Sequence, residues 1–202
     1  MIFSYIKQKA LKMKVGESKI SLKKISDEQI LSLINNQETL DKGFNILVRK
    51  FKEKIYWHIA KMVTSHSDAD DIMQNTFIRA WKNIKSFRGD SQLYTWLYRI
   101  AINETMSFIK YNSKNKVFNS DIFLCDRDTG QNMDINPKAI ESLLQRAVNS
   151  LPDKQKKVFL LRYYNNTHYD KMGEILNTNT NTLKATYHIA QKKVETFLKN
   201  NV

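Results

Sequence analysis

Cysteine, proline and glycine are all scarce in this chain: one, two and five among 202 residues. The single Cys125 excludes an internal disulfide and a multi-cysteine metal site. His58, His66, His168 and His188 show no ligand spacing, and no carboxylate pair stands beside them in a recognisable site. With so few glycines, neither a phosphate-cradling loop nor a many-turned sheet protein is expected. No stretch approaches the run of about 18 apolar residues that a membrane span requires. The first residues, MIFSYIKQKALKMKVG, are interrupted by lysines, unlike the apolar core of a signal peptide. They read as a short basic extension, with Met13 an alternative start. These absences predict a soluble, cytoplasmic, mostly helical protein with no cofactor, no metal, no small-molecule substrate, no membrane insertion and no catalytic centre, so not an enzyme.

Positive charge is what the chain has in excess. Lysine and arginine number 33 against 20 acidic residues, a formal net charge of +13. Such a surplus favours a polyanionic partner, nucleic acid or an anionic membrane surface, although a merely soluble basic protein has the same balance.

Apolar periodicity organises the chain into helices. Ser26-Asp-Glu-Gln29 reads as a capping box before Ile30, Leu31, Leu33 and Ile34. A longer helix carries Phe44, Leu47, Val48, Phe51, Ile55, Ile59 and Val63 at three- and four-residue steps. Ser67 or Asp68 is expected to cap the next helix, with Asp68, Asp70 and Asp71 in its first turn, where the helix dipole favours negative charge. Its apolar stripe is Met73, Phe77, Ala80, Trp81 and Ile84. A fourth helix is expected from near Ser91 to about Lys110. Residues 112 to 137, rich in Asn, Ser and Asp, read as a flexible linker with apolar islands at Val117-Phe118 and Ile122-Phe123-Leu124. Beyond it, Leu151-Pro152-Asp153 opens a helix with Val158 and Leu161 on its buried face. A short helix from His168 to Leu176, the turn Asn177 to Asn181, and a last helix with Leu183, Tyr187, Ala190 and Val194 on one face make a helix-turn-helix pattern. The outward face of that last helix holds Lys184, His188, Gln191 and Lys192, with no acidic residue until Glu195, which suits insertion between two lines of phosphate.

The stretch Ser86 to Asn103, SFRGDSQLYTWLYRIAIN, is the most distinctive. It gathers Phe87, Tyr94, Trp96 and Tyr98 with Arg88 and Arg99 around Gly89. Aromatic faces stack on unpaired bases, guanidinium groups hold phosphates, and a glycine turn lets backbone approach closely. It also reads as an amphipathic helix, with Leu93, Trp96, Leu97 and Ile100 toward a core and Tyr98 and Arg99 outside.

With these residues in view, the chain resembles the extracytoplasmic-function group of bacterial RNA polymerase sigma factors, within the sigma-70 family. The match runs through DADDIMQNTFIRAWKNIKSFRGDSQLYTWLYRIAINETMSFIK and again from LPDKQKKVFLLRYY to the C-terminus. The resemblance implies an all-α fold of two small helical domains: a sigma region 2 bundle over residues 25–111 and a region 4 helix-turn-helix over 138–202. The 1–24 extension precedes the first, and the linker over 112–137 joins them. It also implies binding to core RNA polymerase and to promoter DNA, with promotion of melting and transcription initiation for a specific regulon. An anti-sigma factor is an expected partner. Asp70, Asp71, Gln74, Phe77 and Trp81 correspond to the helix that grips the polymerase clamp coiled coil, although Phe77 and Trp81 themselves read as core. Phe87, Arg88, Gly89, Asp90, Ser91, Tyr94, Arg99, Asn103 and Lys110 correspond to the surface for the −10 element. Phe87 reads equally as a plug beneath the loop, and Trp96 as core. Asn181, Thr182, Lys184, Ala185, Thr186, His188 and Lys192 correspond to the −35 reader. The chain departs from the family at Asn75, where glutamate is usual, at Ala185-Thr186 in place of a common Ser-Arg pair, and at Ile189 in place of a frequent arginine. The other reading is a helix-turn-helix regulator that acts without binding core polymerase. A nucleic-acid enzyme such as a recombinase would need a nucleophile with supporting residues, and no such cluster stands in the sequence.

Overall fold

The computed structural model describes residues 25–119 and 137–201. The basic extension, Cys125 and the island Ile122-Phe123-Leu124 lie outside the described residues, as does most of the expected linker. Among the described residues there are eight α-helices and no strand: α1 (Asp27–Asn35), α2 (Leu40–Ala60), α3 (His66–Asn83), α4 (Leu93–Asn119), α5 (Pro137–Asn149), α6 (Asp153–Tyr163), α7 (Tyr169–Leu176) and α8 (Thr180–Lys199). A single 3-10 turn, Ile84–Ser86, follows α3. The chain divides into two compact units within α2, after Lys50.

The first unit starts with the expected capping box: Gln29 N–H donates to Ser26 Oγ and Ser26 N–H to Gln29 Oε1. These two bonds satisfy backbone donors that a helix start leaves open. Ile30 and Ile34 are buried. Lys50 closes the unit, its Nζ 2.7 Å from both the Ile25 carbonyl and Asp27 Oδ1. Gly43 lies so near α1 that a Cβ there would fall 2.9 Å from Ile34 N and from Leu33 Cβ.

The second unit is built around α4. Leu93, Leu97, Ala101, Met106 and Ile109 are buried, and α3 packs along this helix with Ala69, Ile72, Phe77 and Ala80 inward. Burying each of the leucine, isoleucine, methionine and phenylalanine side chains among these yields about 1.5–3 kcal/mol. Thr76 and Thr105 are fully enclosed, and each returns its hydroxyl to a carbonyl one turn earlier, Ile72 and Ala101. The helices α5 to α8 enclose their own apolar set, including Val148, Leu151, Val158, Leu161, Met172, Ile175, Leu183 and Val194. Contacts from α4 to α6, α7 and α5 unite the two sets.

Several boundaries differ from the sequence reading. Ser65, not Ser67 or Asp68, caps α3, with the Asp68 N–H donating to Ser65 Oγ. Only Asp68 therefore occupies the first turn, and Asp70 and Asp71 stand beyond it. The second helix stops at Ala60, short of Val63, and α4 starts at Leu93 and continues to Asn119 rather than ending near Lys110. The Asn- and Lys-rich tail of α4 has little apolar periodicity, so pattern alone ended it too early. Tyr98, placed outside by the simple helical stripe, is 2 % exposed. Ile100, placed toward the core, is only half-buried. The reason is that α4 is covered on two sides, by α3 and by the C-terminal helices.

An aromatic cluster fills that second side. His58 stacks on Tyr98 with ring centroids 4.4 Å apart. Tyr94 Oη lies 2.6 Å from His58 Nε2, and Asn165 Oδ1 lies 3.1 Å from His58 Nδ1. The pattern fits a neutral ring that accepts from Tyr94 and donates to Asn165. Burial depresses the His58 pKa; the Asn165 hydrogen bond opposes the shift, while Lys61 and Lys54 reinforce it. Burial also pushes the Tyr94 hydroxyl up to about 12.

Two predictions follow from this packing. Gly43→Ala should gain about 1 kcal/mol of helix propensity but lose about 1–3 kcal/mol to overpacking, a net destabilisation. A lowered urea midpoint checks it. For His58, the unfolded ring protonates near its ordinary value of about 6.5 while the folded ring resists. The unfolded state thus binds more protons below that pH, and stability falls as pH drops from about 6.5 toward the depressed folded value. His58→Gln should flatten this slope in urea melts between pH 7.5 and 5.

Candidate nucleic-acid and partner interfaces

Three surfaces collect the residues singled out in the sequence. The front of α3 presents Asp70, Asp71 and Gln74 to solvent, and Asn75 beside them is also exposed. Behind them Phe77 is buried and Trp81 half-buried. Polar groups thus face outward on a helix held by apolar groups, and the two aromatics serve the interior.

The second surface starts at the loop after α3. Arg88, Gly89 and Asp90 are exposed, and Phe87 and Ser91 are half-buried. Gly89 adopts φ +81° with open space where a side chain would stand. The need for glycine there comes from the backbone conformation, not from crowding. Phe87 rests on Trp96, ring centroids 5.3 Å apart. That contact covers part of each ring and leaves both Phe87 and Trp96 half-buried.

Further along α4, Tyr94 points into the His58 cluster, so only part of its ring reaches solvent. Arg99, Asn103 and Lys110 are exposed by surface area, yet each has a partner in the C-terminal helices. Arg99 Nε donates to the Ile175 carbonyl at 3.0 Å and Nη2 to the Glu174 carbonyl at 2.9 Å. A guanidinium at the C-terminal end of α7 meets carbonyls that the helix leaves unpaired. Lys157 Nζ donates to Asn103 Oδ1 at 2.8 Å, and Lys110 pairs with Asp153 at 3.2 Å. Nearby, Lys171 donates to the buried Thr95 hydroxyl. The sequence reading missed Lys157, Lys171 and Asn165 as neighbours of this surface. Only the run Lys154-Gln-Lys-Lys157 gave a signal, and its members behave differently. Lys156 is buried against the Asn149 carbonyl, with its pKa lowered by burial, whereas Lys157 reaches across to Asn103.

The third surface is α8. Asn177, in the left-handed region at φ 50°, ends α7, and the Thr178 N–H returns to the Gly173 carbonyl. Gly173 has only 3.1 Å between an added Cβ and the Thr178 carbonyl oxygen, so the turn folds back tightly. Asn179 then caps α8 by accepting from the Asn181 N–H. Leu183, Ala190 and Val194 face inward. Asn181, Thr182, Lys184, Ala185, His188 and Lys192 are exposed, and Thr186 is half-buried with its hydroxyl on the Thr182 carbonyl. Lys184 Nζ lies 5.9 Å from the Tyr169 ring centroid. Gln191 is engaged with Glu195 at 2.9 Å. Among the described residues no cluster of three or more His, Cys, Asp or Glu residues could hold a metal ion, and no helix is long and apolar enough to cross a membrane.

Comparison with known proteins matches this architecture in two places. A model of Sigma-70 region 2 matches residues 47–115, and one of Sigma-70, region 4 matches 141–194; together they span more than half of the chain. An ECF RNA polymerase sigma-E factor of Haemophilus influenzae is 28% identical over 183 residues, covering 85% of this chain and 94% of that protein. The RNA polymerase sigma-H factor of Pseudomonas aeruginosa is 26% identical over the same length and coverage. Among solved structures, CnrH in complex with the cytosolic domain of CnrY shares the fold, with a TM-score of 0.53 at 14% identity over 87% of this chain and 99% of that one. The chain therefore belongs to the sigma-70 family, in the extracytoplasmic-function group of sigma factors, whose role is promoter-specific initiation of transcription.

Proposed function

We propose that this chain binds core RNA polymerase, recognises a −10 and a −35 element, assists melting and so directs initiation at its own set of promoters. The observation that carries the reading is the pairing of two different surfaces on one chain. An open, glycine-turned loop lies between an acid-fronted helix and α4, and a second helix after a tight turn is free of acidic side chains over Thr180–Lys193. Two DNA-contacting surfaces on one chain reach separate elements with affinities that multiply through effective concentration.

Asp70, Asp71 and Gln74 dock on the clamp coiled coil, with Phe77 and Trp81 holding their helix in place. The loop from Phe87 to Ser91 receives a base taken from the stack, at an unstacking cost of a few kcal/mol that the pocket must offset. Phe87 acts there from beneath, supported by Trp96. Arg99, Asn103 and Lys110 hold the strand beside it, with Tyr94 setting the helix face. On α8, Asn181, Thr182, Lys184, Ala185, Thr186, His188 and Lys192 meet the −35 duplex. The protein works in the cytoplasm with polymerase, catalyses no reaction itself, and has an anti-sigma factor as its natural antagonist. The domain limits proposed for this role are 25–111 and 138–202.

Arg99, Asn103 and Lys110 are already engaged in part by Ile175, Glu174, Lys157 and Asp153, so DNA would meet the hydrogen-bonding groups that these contacts leave over.

Run-off transcription on genomic fragments with purified core polymerase tests the proposal: start-specific transcripts should require this chain. Absence of both a specific transcript and co-migration with core would sink it. Asp71→Lys should weaken co-migration with core at least tenfold, while leaving the thermal melt within a few degrees. In a separate measurement, Asp153→Asn should remove the ion pair with Lys110 and raise the affinity of the isolated chain for single-stranded −10 DNA. Exposed ion pairs are worth about 0.2–1 kcal/mol, so the gain should not exceed about fivefold. A decrease would mean that Lys110 does not face the strand.

A further inference from the structure

The DNA-facing side of α8 has a composition that limits what it can read. No arginine follows Arg162 in the chain, and Arg162 itself is committed elsewhere. Its Nη1 donates to the Thr167 carbonyl at 3.2 Å, and its guanidinium lies 5.1 Å from the Tyr169 ring centroid. The arginine form of the commonest specific contact in a major groove, a planar fork on guanine, is therefore missing from this helix, which carries only lysines as fixed cations. Of the side-chain amides on the helix, Gln191 is held by Glu195, while Asn181 at its start is exposed.

One large apolar side chain stands out on the same helix: Ile189 is 47 % exposed. It lies seven residues after Thr182 and four after Ala185, both exposed, so the three share one stripe of the helix. Lys184, His188 and Lys192 lie around the adjacent stripe, where they can reach phosphates. Exposing an isoleucine to water has no benefit for folding, and nearly half of this side chain stays open to solvent. In a major groove, one base carries an apolar group at its edge: the C5-methyl of thymine.

Resting on the −35 role proposed above, we infer that Ile189 is a specificity residue that packs on a thymine methyl, so that the upstream element is read as A·T pairs through methyl contacts rather than as guanine through arginine. Thr182 and Ala185 extend the apolar stripe toward the helix start, and the lysines beside it set register on the backbone without reading sequence.

The full chain bound to core polymerase is used to select duplexes from a pool randomised over the upstream element. The enriched element should contain thymine in the frame covered by α8. Replacing that thymine by deoxyuridine removes only the methyl and should lower retention about three- to fivefold. Ile189→Ala, confirmed as folded by its thermal melt, should bind the thymine duplex less tightly by the same factor and no longer distinguish thymine from uracil. Ile189→Arg should shift the selected base toward guanine. An enriched element without thymine, equal retention of the uracil duplex, or continued discrimination by Ile189→Ala would overturn the methyl readout while leaving the −35 role intact. A pool with no enrichment at all would strike the −35 role itself, and the methyl readout with it.

Discussion

The burial of α4 on two sides is the constraint from which the arrangement of the second unit follows. One side is an ordinary apolar seam against α3. The other is aromatic and polar, with His58 at its centre, stacked on Tyr98 and bonded to Tyr94 and Asn165. A neutral imidazole can donate from one nitrogen and accept at the other, so it satisfies a phenol and an amide together. A charged ring could still donate to the Tyr94 oxygen and to Asn165, so the hydrogen bonds alone do not select the neutral form. What disfavours the charge at this junction is burial, which lowers the His58 pKa.

The same junction brings α7 under Arg99. The guanidinium supplies two donors to carbonyls at the C-terminal end of a helix only two turns long, where few other groups are available to meet them. This is a strong use of arginine in packing, and it leaves the Nη1 donors for the use proposed for Arg99 on DNA. The remaining links are weaker in kind. Lys110–Asp153 and Lys157–Asn103 lie at exposed positions, where salt and water limit each to about 1 kcal/mol or less. The contact between α4 and the C-terminal helices thus rests on one well-placed arginine and a buried ring cluster, with a fringe of replaceable bonds.

Helix identity was legible in the sequence because apolar spacing, the Ser26 capping box and the Asn177 turn act locally. The α-only class and the order of elements required nothing beyond that. What local pattern could not show was which helices have two covered faces. Tyr98 and Ile100 were exchanged for this reason: a single amphipathic stripe assigns one inner face, whereas α4 has contacts on both sides. The cap of α3 lies two or three residues before the expected position because Ser65, Ser67 and Asp68 are all good capping types, and only the path of the chain selects among them. Candidate surfaces divided in the same way. The solvent exposure of Asp70, Asp71, Gln74 and the outer face of α8 could be anticipated from helical phase. The engagement of Arg99, Asn103 and Lys110 could not, because their partners lie 43 or more residues away.

The departures from the family pattern carry more physical information than the matches. Sites that would hold arginine carry Thr186 and Ile189 instead, and the fixed positive charge that remains on α8 is lysine. Lysine is a point charge on a flexible stem, suited to phosphate but without the planar fork that discriminates guanine. Affinity and sequence reading are thereby assigned to different side chains: the lysines supply salt-dependent attraction, and discrimination is left to groups that carry no charge. A helix of this composition can bind tightly only where the backbone register set by the lysines also places its uncharged stripe against complementary base edges. That coupling makes the geometry of the Asn177 turn, which fixes how α8 meets the rest of the unit, as important to recognition as any residue on its surface.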